Sequence, residues 1–130
     1  MAKKRGLVFS ATDYYGNLVK LYRDTWENHV LDPVNGHPQM LGCENLVQGV
    51  LKDPYEIRQS AQQATAAAFI SATNVGPSLE GIRVLVNYTT NDFQKGSAEG
   101  LVVTAYPIDS VRYSTPRISR PLYKKPVKGQ

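Results

Sequence analysis

Two histidines, one arginine and a few hydroxyl-bearing residues are the side chains in this sequence whose types could work on a phosphodiester. His29 and His37 stand eight residues apart across a Pro-Gly loop, Arg58 and Ser60 follow in L-x-D-P-x-x-I-R-x-S, and Thr104 and Tyr106 stand in V-V-T-A-Y. Cutting RNA through its own 2′-hydroxyl needs a base that titrates near neutrality, an acid for the leaving 5′-oxygen, and a fixed cation or hydroxyl donor for the phosphate. Imidazole suits the first two tasks. A guanidinium grips phosphate through two parallel N–H bonds, which recommends Arg58. Ser60 and Thr104 offer hydroxyls, and Tyr106 can give a proton or stack on a base. Each residue also has a plainer reading. His29, three residues after Trp26, could pack on the indole; Arg58 could pair with Glu56 or Asp53; Thr104 and Tyr106 alternate with Val103 and Ala105 and could be only the outward face of a strand.

Other chemistries lack their motifs. No GxxxxGK[ST], GxGxxG or GxSxG pattern occurs, so neither a phosphate-cradling glycine loop nor a nucleophile elbow is expected. The histidine spacing is not that of HExxH and no acids cluster beside it, so neither a metal site nor a cofactor is expected. Asp92 and Lys95 read as loop charges. The single cysteine, Cys43, allows no internal disulfide and reads as a small core residue.

The elements that must position these groups follow from apolar spacing. Runs 7–12 and 17–22, joined by a turn at Gly16-Asn17, predict a β-hairpin with Val19 and Leu21 on one face and Leu18, Lys20 and Tyr22 on the other. Asp24 or Thr25 offers a cap, and Asp24 with Glu27 approximates a capping box, for a short helix through Trp26–Val30 that Asp32-Pro33 stops. Cys43, Leu46, Val47, Val50 and Leu51 recur at helical spacing and predict a second helix ending at Asp53-Pro54. Tyr55–Ser60 then reads as extended. Segments 65–73, 82–90 and 101–108 have strand character, although QQATAAA over 62–68 suits a helix equally well. No connection is long enough for a parallel crossover helix, so the strands predict an antiparallel meander. The fold class expected is α+β, with the hairpin and two short helices packed on one side of an antiparallel sheet of about four strands.

Length and charge set the frame. A chain of 130 residues, 42% hydrophobic and 20% charged, suits one domain with one core. Segments 1–5 and 114–130 read as basic tails with little secondary structure, the second proline-rich, flanking a domain at 6–113. The net charge of +4 belongs to those tails: Lys3, Lys4 and Arg5 at one end and Arg117, Arg120, Lys124, Lys125 and Lys128 at the other leave seven bases against eleven acids between residues 6 and 116, a net of −4. The tail cations are therefore the candidates for gripping a nucleic-acid backbone. No run approaches the roughly 18 to 20 apolar residues that span a bilayer, and the first residues lack a signal-peptide core, so a soluble, cytoplasmic protein is expected.

Taken in order, W-x-x-H-V at Trp26–Val30, H-P-x-M at His37–Met40, a helix closed by L-x-D-P-x-x-I-R-x-S at Leu51–Ser60, and V-V-T-A-Y at Val102–Tyr106 resemble the phage-associated barnase–EndoU–colicin–RelE-like nucleases over about residues 17–107. That resemblance implies two N-terminal helices before a four-stranded antiparallel sheet and a metal-independent RNase-like site on the sheet. It implies toxin or phage-conflict settings, with RNA as substrate and an inhibitor or antitoxin protein as a further partner. Carried over by position, it nominates His29, His37, Arg58, Ser60, Thr104 and Tyr106. Gln39 stands where an acid would be expected after H-P. The alternative is a catalytically silent adaptor or virion-associated module of the same fold, using its tails to hold nucleic acid or an acidic partner.

Overall fold

Alternation in the first two runs produces the expected hairpin in the computed structural model, which describes residues 6–60, 62–71, 81–108 and 120–125. Strand β1 (Leu7–Thr12) pairs antiparallel with β2 (Leu18–Tyr22), and Val19 and Leu21 are fully buried while Leu18 is exposed. Asp13 builds the turn between them: its carboxyl oxygen accepts the backbone N–H groups of Tyr15, Gly16 and Asn17, and Gly16 takes φ +100°. That left-handed conformation carries a steric penalty for any residue with a Cβ, which is why glycine stands there.

The chain passes from β2 directly into a helical segment, earlier than the expected cap. Helix α1 (Arg23–Thr25) continues into a π-helical turn (Trp26–Val30), and no side chain caps its start. Asp24 accepts the N–H of its neighbour Thr25 instead, so the anticipated capping box does not form. Trp26 and Val30 are buried. Asp32 then turns the chain by accepting the N–H of Val34. The second helix, α2 (Glu44–Lys52), follows its apolar stripe: Val47, Val50 and Leu51 are buried, and Cys43 and Leu46 pack at the margin of the core. Partial burial pushes the Cys43 thiol above its ordinary pKa, with the adjacent Glu44 acting in the same direction.

Among the described residues five further strands follow, β3 (Glu56–Gln59), β4 (Ala66–Ile70), β5 (Gly81–Tyr88), β6 (Glu99–Ile108) and β7 (Arg120–Lys124), in one sheet ordered β1-β2-β6-β5-β4-β3-β7. The class is α+β as expected, and β4, β5 and β6 form the antiparallel meander. The sheet has seven strands rather than about four. The hairpin does not pack upon it but extends it, since β2 runs parallel to β6 through the pairs Leu18–Glu99, Val19–Gly100 and Lys20–Leu101. Excluding crossover helices rules out parallel pairing only between consecutive strands; here most of the chain lies between the partners. Residues 120–124, expected as tail, are a strand on β3. Pro121 is tolerated there because β7 is the sheet edge, where a missing N–H breaks no ladder bond on the outer side. Residues 1–5 and 114–119 lie outside the described residues, as do 126–130. Among the described residues no helix is long and apolar enough to cross a membrane.

One face of the sheet carries the core: Val19, Leu21, Ile57, Phe69, Ile82, Val84, Val86 and Ala105 pack with Trp26, Val30, Met40 and the stripe of α2. A bulge in β6 decides what the other face presents. Leu85 opposes Thr104 while Val86 opposes Val102, so Val103 is the extra residue, and it is exposed rather than alternating inward.

Candidate functional site

The face opposite the core is organised in rows that strand register sets. One row runs Glu56, Ile70, Arg83, Tyr106 across β3, β4, β5 and β6; the next runs Arg58, Ala68, Leu85, Thr104. Thr104 and Tyr106 therefore do share the outward face with each other, and Arg83 is the direct cross-strand neighbour of Tyr106.

His37 reaches this face from the loop after the π-helical turn. Its backbone N–H bonds the Val30 carbonyl at 2.5 Å and the Gly36 N–H bonds the Asp32 carbonyl at 2.9 Å, which folds the loop back on the helix end. Only glycine fits at 36, because a Cβ there would lie 2.4 Å from the His29 carbonyl oxygen and 2.6 Å from that of Val30. The result is a half-buried His37 ring stacked on Tyr106, centroids 5.2 Å apart and planes 29° from parallel. The Arg83 guanidinium carbon lies 5.9 Å from the same tyrosine centroid, within cation–π range. Its Nε is buried and has no hydrogen-bond partner among the described residues. The exposed His29 borders a hollow of about 320 Å³ with Tyr22, Thr25, Leu101 and Val103. It does not pack away against Trp26. The two histidines thus meet β6 on either side of Thr104, at positions three residues apart, about 10 Å along a strand.

Arg58 and Ser60 are not brought to this group. Arg58 pairs with Glu56 at 2.6 Å, their side chains 16% and 7% exposed, which is the plainer reading of that arginine. Three strand spacings, about 14 Å, part its backbone from Thr104. Ser60 sits beyond the end of β3, where its hydroxyl accepts the N–H groups of Gln62 and Gln63 and holds a turn. Of the tail cations, Lys3, Lys4, Arg5 and Arg117 lie outside the described residues. Arg120 and Lys124 belong to β7, and Lys125 Nζ pairs with Asp53 at 3.0 Å. Among the described residues no group of three or more His, Cys, Asp or Glu could hold a metal ion.

Arg83 is the residue that motif reading passed over, and its signal was present: in IRVLVNY the polar Arg83 and Asn87 fall on one phase of an otherwise apolar strand, so both point to the face opposite the core. Set against descriptions of known protein families, curated proteins and solved structures, the chain matches none.

Proposed function

We propose that this chain is a small ribonuclease that cleaves RNA by 2′-hydroxyl attack, acting at the outward face of β6. The observation that carries the reading is the His37–Tyr106 stack with Arg83 beside it: an imidazole and a guanidinium meet around one aromatic ring, where His37 and Tyr106 are each only half-buried. In the step envisaged, one histidine takes the proton of the 2′-hydroxyl and that oxygen bonds to phosphorus. The bond from phosphorus to the 5′-oxygen breaks, the other histidine protonates the leaving oxygen, and a 2′,3′-cyclic phosphate remains. Arg83, not the Glu56-paired Arg58, supplies the fixed positive charge, and Thr104 a hydroxyl for the phosphate oxygens. Tyr106 orients His37 and leaves its own edge for a base. No step requires a metal, because these side chains supply base, acid and cation.

The test is cleavage of an end-labelled RNA by purified protein in EDTA. The expected products end in cyclic phosphate, and an RNA carrying a 2′-deoxyribose at the cut position resists. Absence of cleavage, or undiminished cleavage by a His29→Ala/His37→Ala double variant, ends this reading. A silent nucleic-acid-binding module of the same fold is the second reading, favoured by the neutralised Arg58 and by an imidazole already stacked. It predicts retention of RNA that weakens steeply with salt, without turnover.

A further inference from the structure

We propose that a second hollow on the same face is a nucleobase subsite that accepts the keto bases guanine and uracil in preference to adenine and cytosine. For its substrate class this rests on the ribonucleolytic reading. The hollow, of about 360 Å³, lies where β2, β6 and β5 run side by side. That is within the range of small-ligand sites and ample for one base. Register sets its middle row as Lys20, Leu101, Asn87. Thr89 and Glu99 border it too, tied together by the Thr89 N–H bonding the Glu99 carbonyl at 2.9 Å. Tyr22 and Leu101 border both this hollow and the one beside His29, so the two adjoin. A nucleotide seated here would place its neighbour in the chain beside His29.

Three of the hollow's polar side chains, Asn87, Glu99 and Lys20, have donors or acceptors left over among the described residues. Asn87 has its carbonyl oxygen held by the Thr65 hydroxyl at 2.8 Å, which leaves its amide N–H groups without a partner among the described residues. The Glu99 carboxylate and the Lys20 ammonium likewise have none there. An amide donor beside a carboxylate acceptor complements a base edge that sets a carbonyl next to a ring N–H. Guanine and uracil have that edge; adenine and cytosine carry a bare ring nitrogen instead. Its lone pair would face the oxygens of Glu99, and an acceptor facing an acceptor loses a hydrogen bond and gains repulsion. Lys20 is placed for the phosphate of the same nucleotide, and the Tyr22 ring offers it stacking surface.

Binding of the four nucleoside 3′-monophosphates to the full chain, by equilibrium dialysis, tests this without any need for turnover. GMP and UMP are expected to bind about 10-fold or more tightly than AMP and CMP, a difference of about 1.4 kcal/mol. Glu99→Gln, which keeps the shape and offers a donor to a bare ring nitrogen, should bring the four within about 2-fold. Equal binding of all four by the unaltered chain, no binding at all, or a preference that Glu99→Gln leaves intact would each overturn the subsite. Its fate is separable from that of the catalytic reading. Selective binding that Glu99→Gln abolishes, in a chain that cuts no RNA, keeps the subsite and removes the enzyme; RNA cleavage with equal binding of the four does the reverse.

Discussion

Two polar clusters lie on this sheet and the fold treats them oppositely. Asp13 stands in a matched network with Asn17 and Tyr88. Its carboxyl group takes three turn N–H groups, the Asn17 amide at 3.1 Å and the Tyr88 hydroxyl at 2.5 Å; Asn17 in turn bonds the Phe93 carbonyl at 2.7 Å and the Ala98 N–H at 2.9 Å. All three residues are buried, and together they fasten the hairpin turn to the loop between β5 and β6. Around Tyr106 the contacts are stacking and charge over a ring, and a guanidinium donor is left without a partner among the described residues. A buried polar network stays in a protein when it is fully satisfied, because its members then rigidify one conformation. The His37 imidazole, held by stacking on a half-open face, has hydrogen bonds still to give to a ligand. The first cluster therefore belongs to stability, the second is the one proposed for function, and substitutions can separate the two.

The largest effect expected is on turnover. His37→Ala should lower the RNA cleavage rate about 10³-fold, equivalent to about 4 kcal/mol of barrier, if the imidazole transfers a proton. Unfolding in urea should change little, since the ring is only half-buried and makes one stacking contact. A variant that loses activity in proportion to lost folded protein would place His37 with the Asp13 cluster instead.

Asp13→Ala should show the opposite pattern. It strands the Tyr88 hydroxyl, the Asn17 amide and the turn N–H groups at once, and a cost on the order of 3 kcal/mol follows from leaving several buried donors unpaired. Urea denaturation should report that loss, while cleavage per folded molecule stays within about 2-fold of the unaltered chain.

How much of this could be read beforehand differs between the two clusters for a physical reason. Local rules work on local features: the apolar stripe from Cys43 through α2, the Gly16 turn and the inward phase of Val19 and Leu21 were all legible and are all present. The ion pair of Arg58 with Glu56 was legible too, because residues two apart on a strand share a face. What escaped depends on distant segments or on a break in period. The parallel seam between β2 and β6 joins residues about 80 apart in sequence. The bulge at Val103 breaks the alternation on which the strand's faces were assigned. Strand β7 hides its pairing behind Pro121 and basic residues that suit an edge. Asp13 gave no signal of the 75 residues that separate it from Tyr88, and Arg83 became a neighbour of Tyr106 only through register.

Alkaline pH probes the Asp13 cluster more finely. Burial pushes the Tyr15 phenol up to about 12, and burial together with the hydrogen bond to Asp13 moves Tyr88 further in the same direction. Unfolded tyrosines lose their protons near 10. The stability that the neutral phenols contribute is thus complete below about pH 10 and is lost as the pH rises through about 12 and beyond. An ultraviolet titration of tyrosinate should show these two phenols ionising only as the fold opens. Tyr88→Phe should cost about 2 kcal/mol at neutral pH, because a buried carboxyl oxygen loses its phenolic donor. It should also flatten the alkaline fall in stability measured in urea.

The smallest effect tests whether charge near the basic end of the chain belongs to either cluster. Lys125 and Asp53 are 47% and 71% exposed, so water and salt screen their attraction. Lys125→Gln should change stability by less than about 0.5 kcal/mol. RNA binding gives the sharper answer. Lys124 stands on the exposed edge strand with no acid paired to it among the described residues, so Lys124→Gln should reduce by about one the slope of log affinity against log salt. Lys125 already shares its charge with Asp53, and its removal should lower that slope by less. Equal changes for the two lysines would mean that RNA draws Lys125 away from Asp53 on binding, and that the edge beside β3 is part of the functional face.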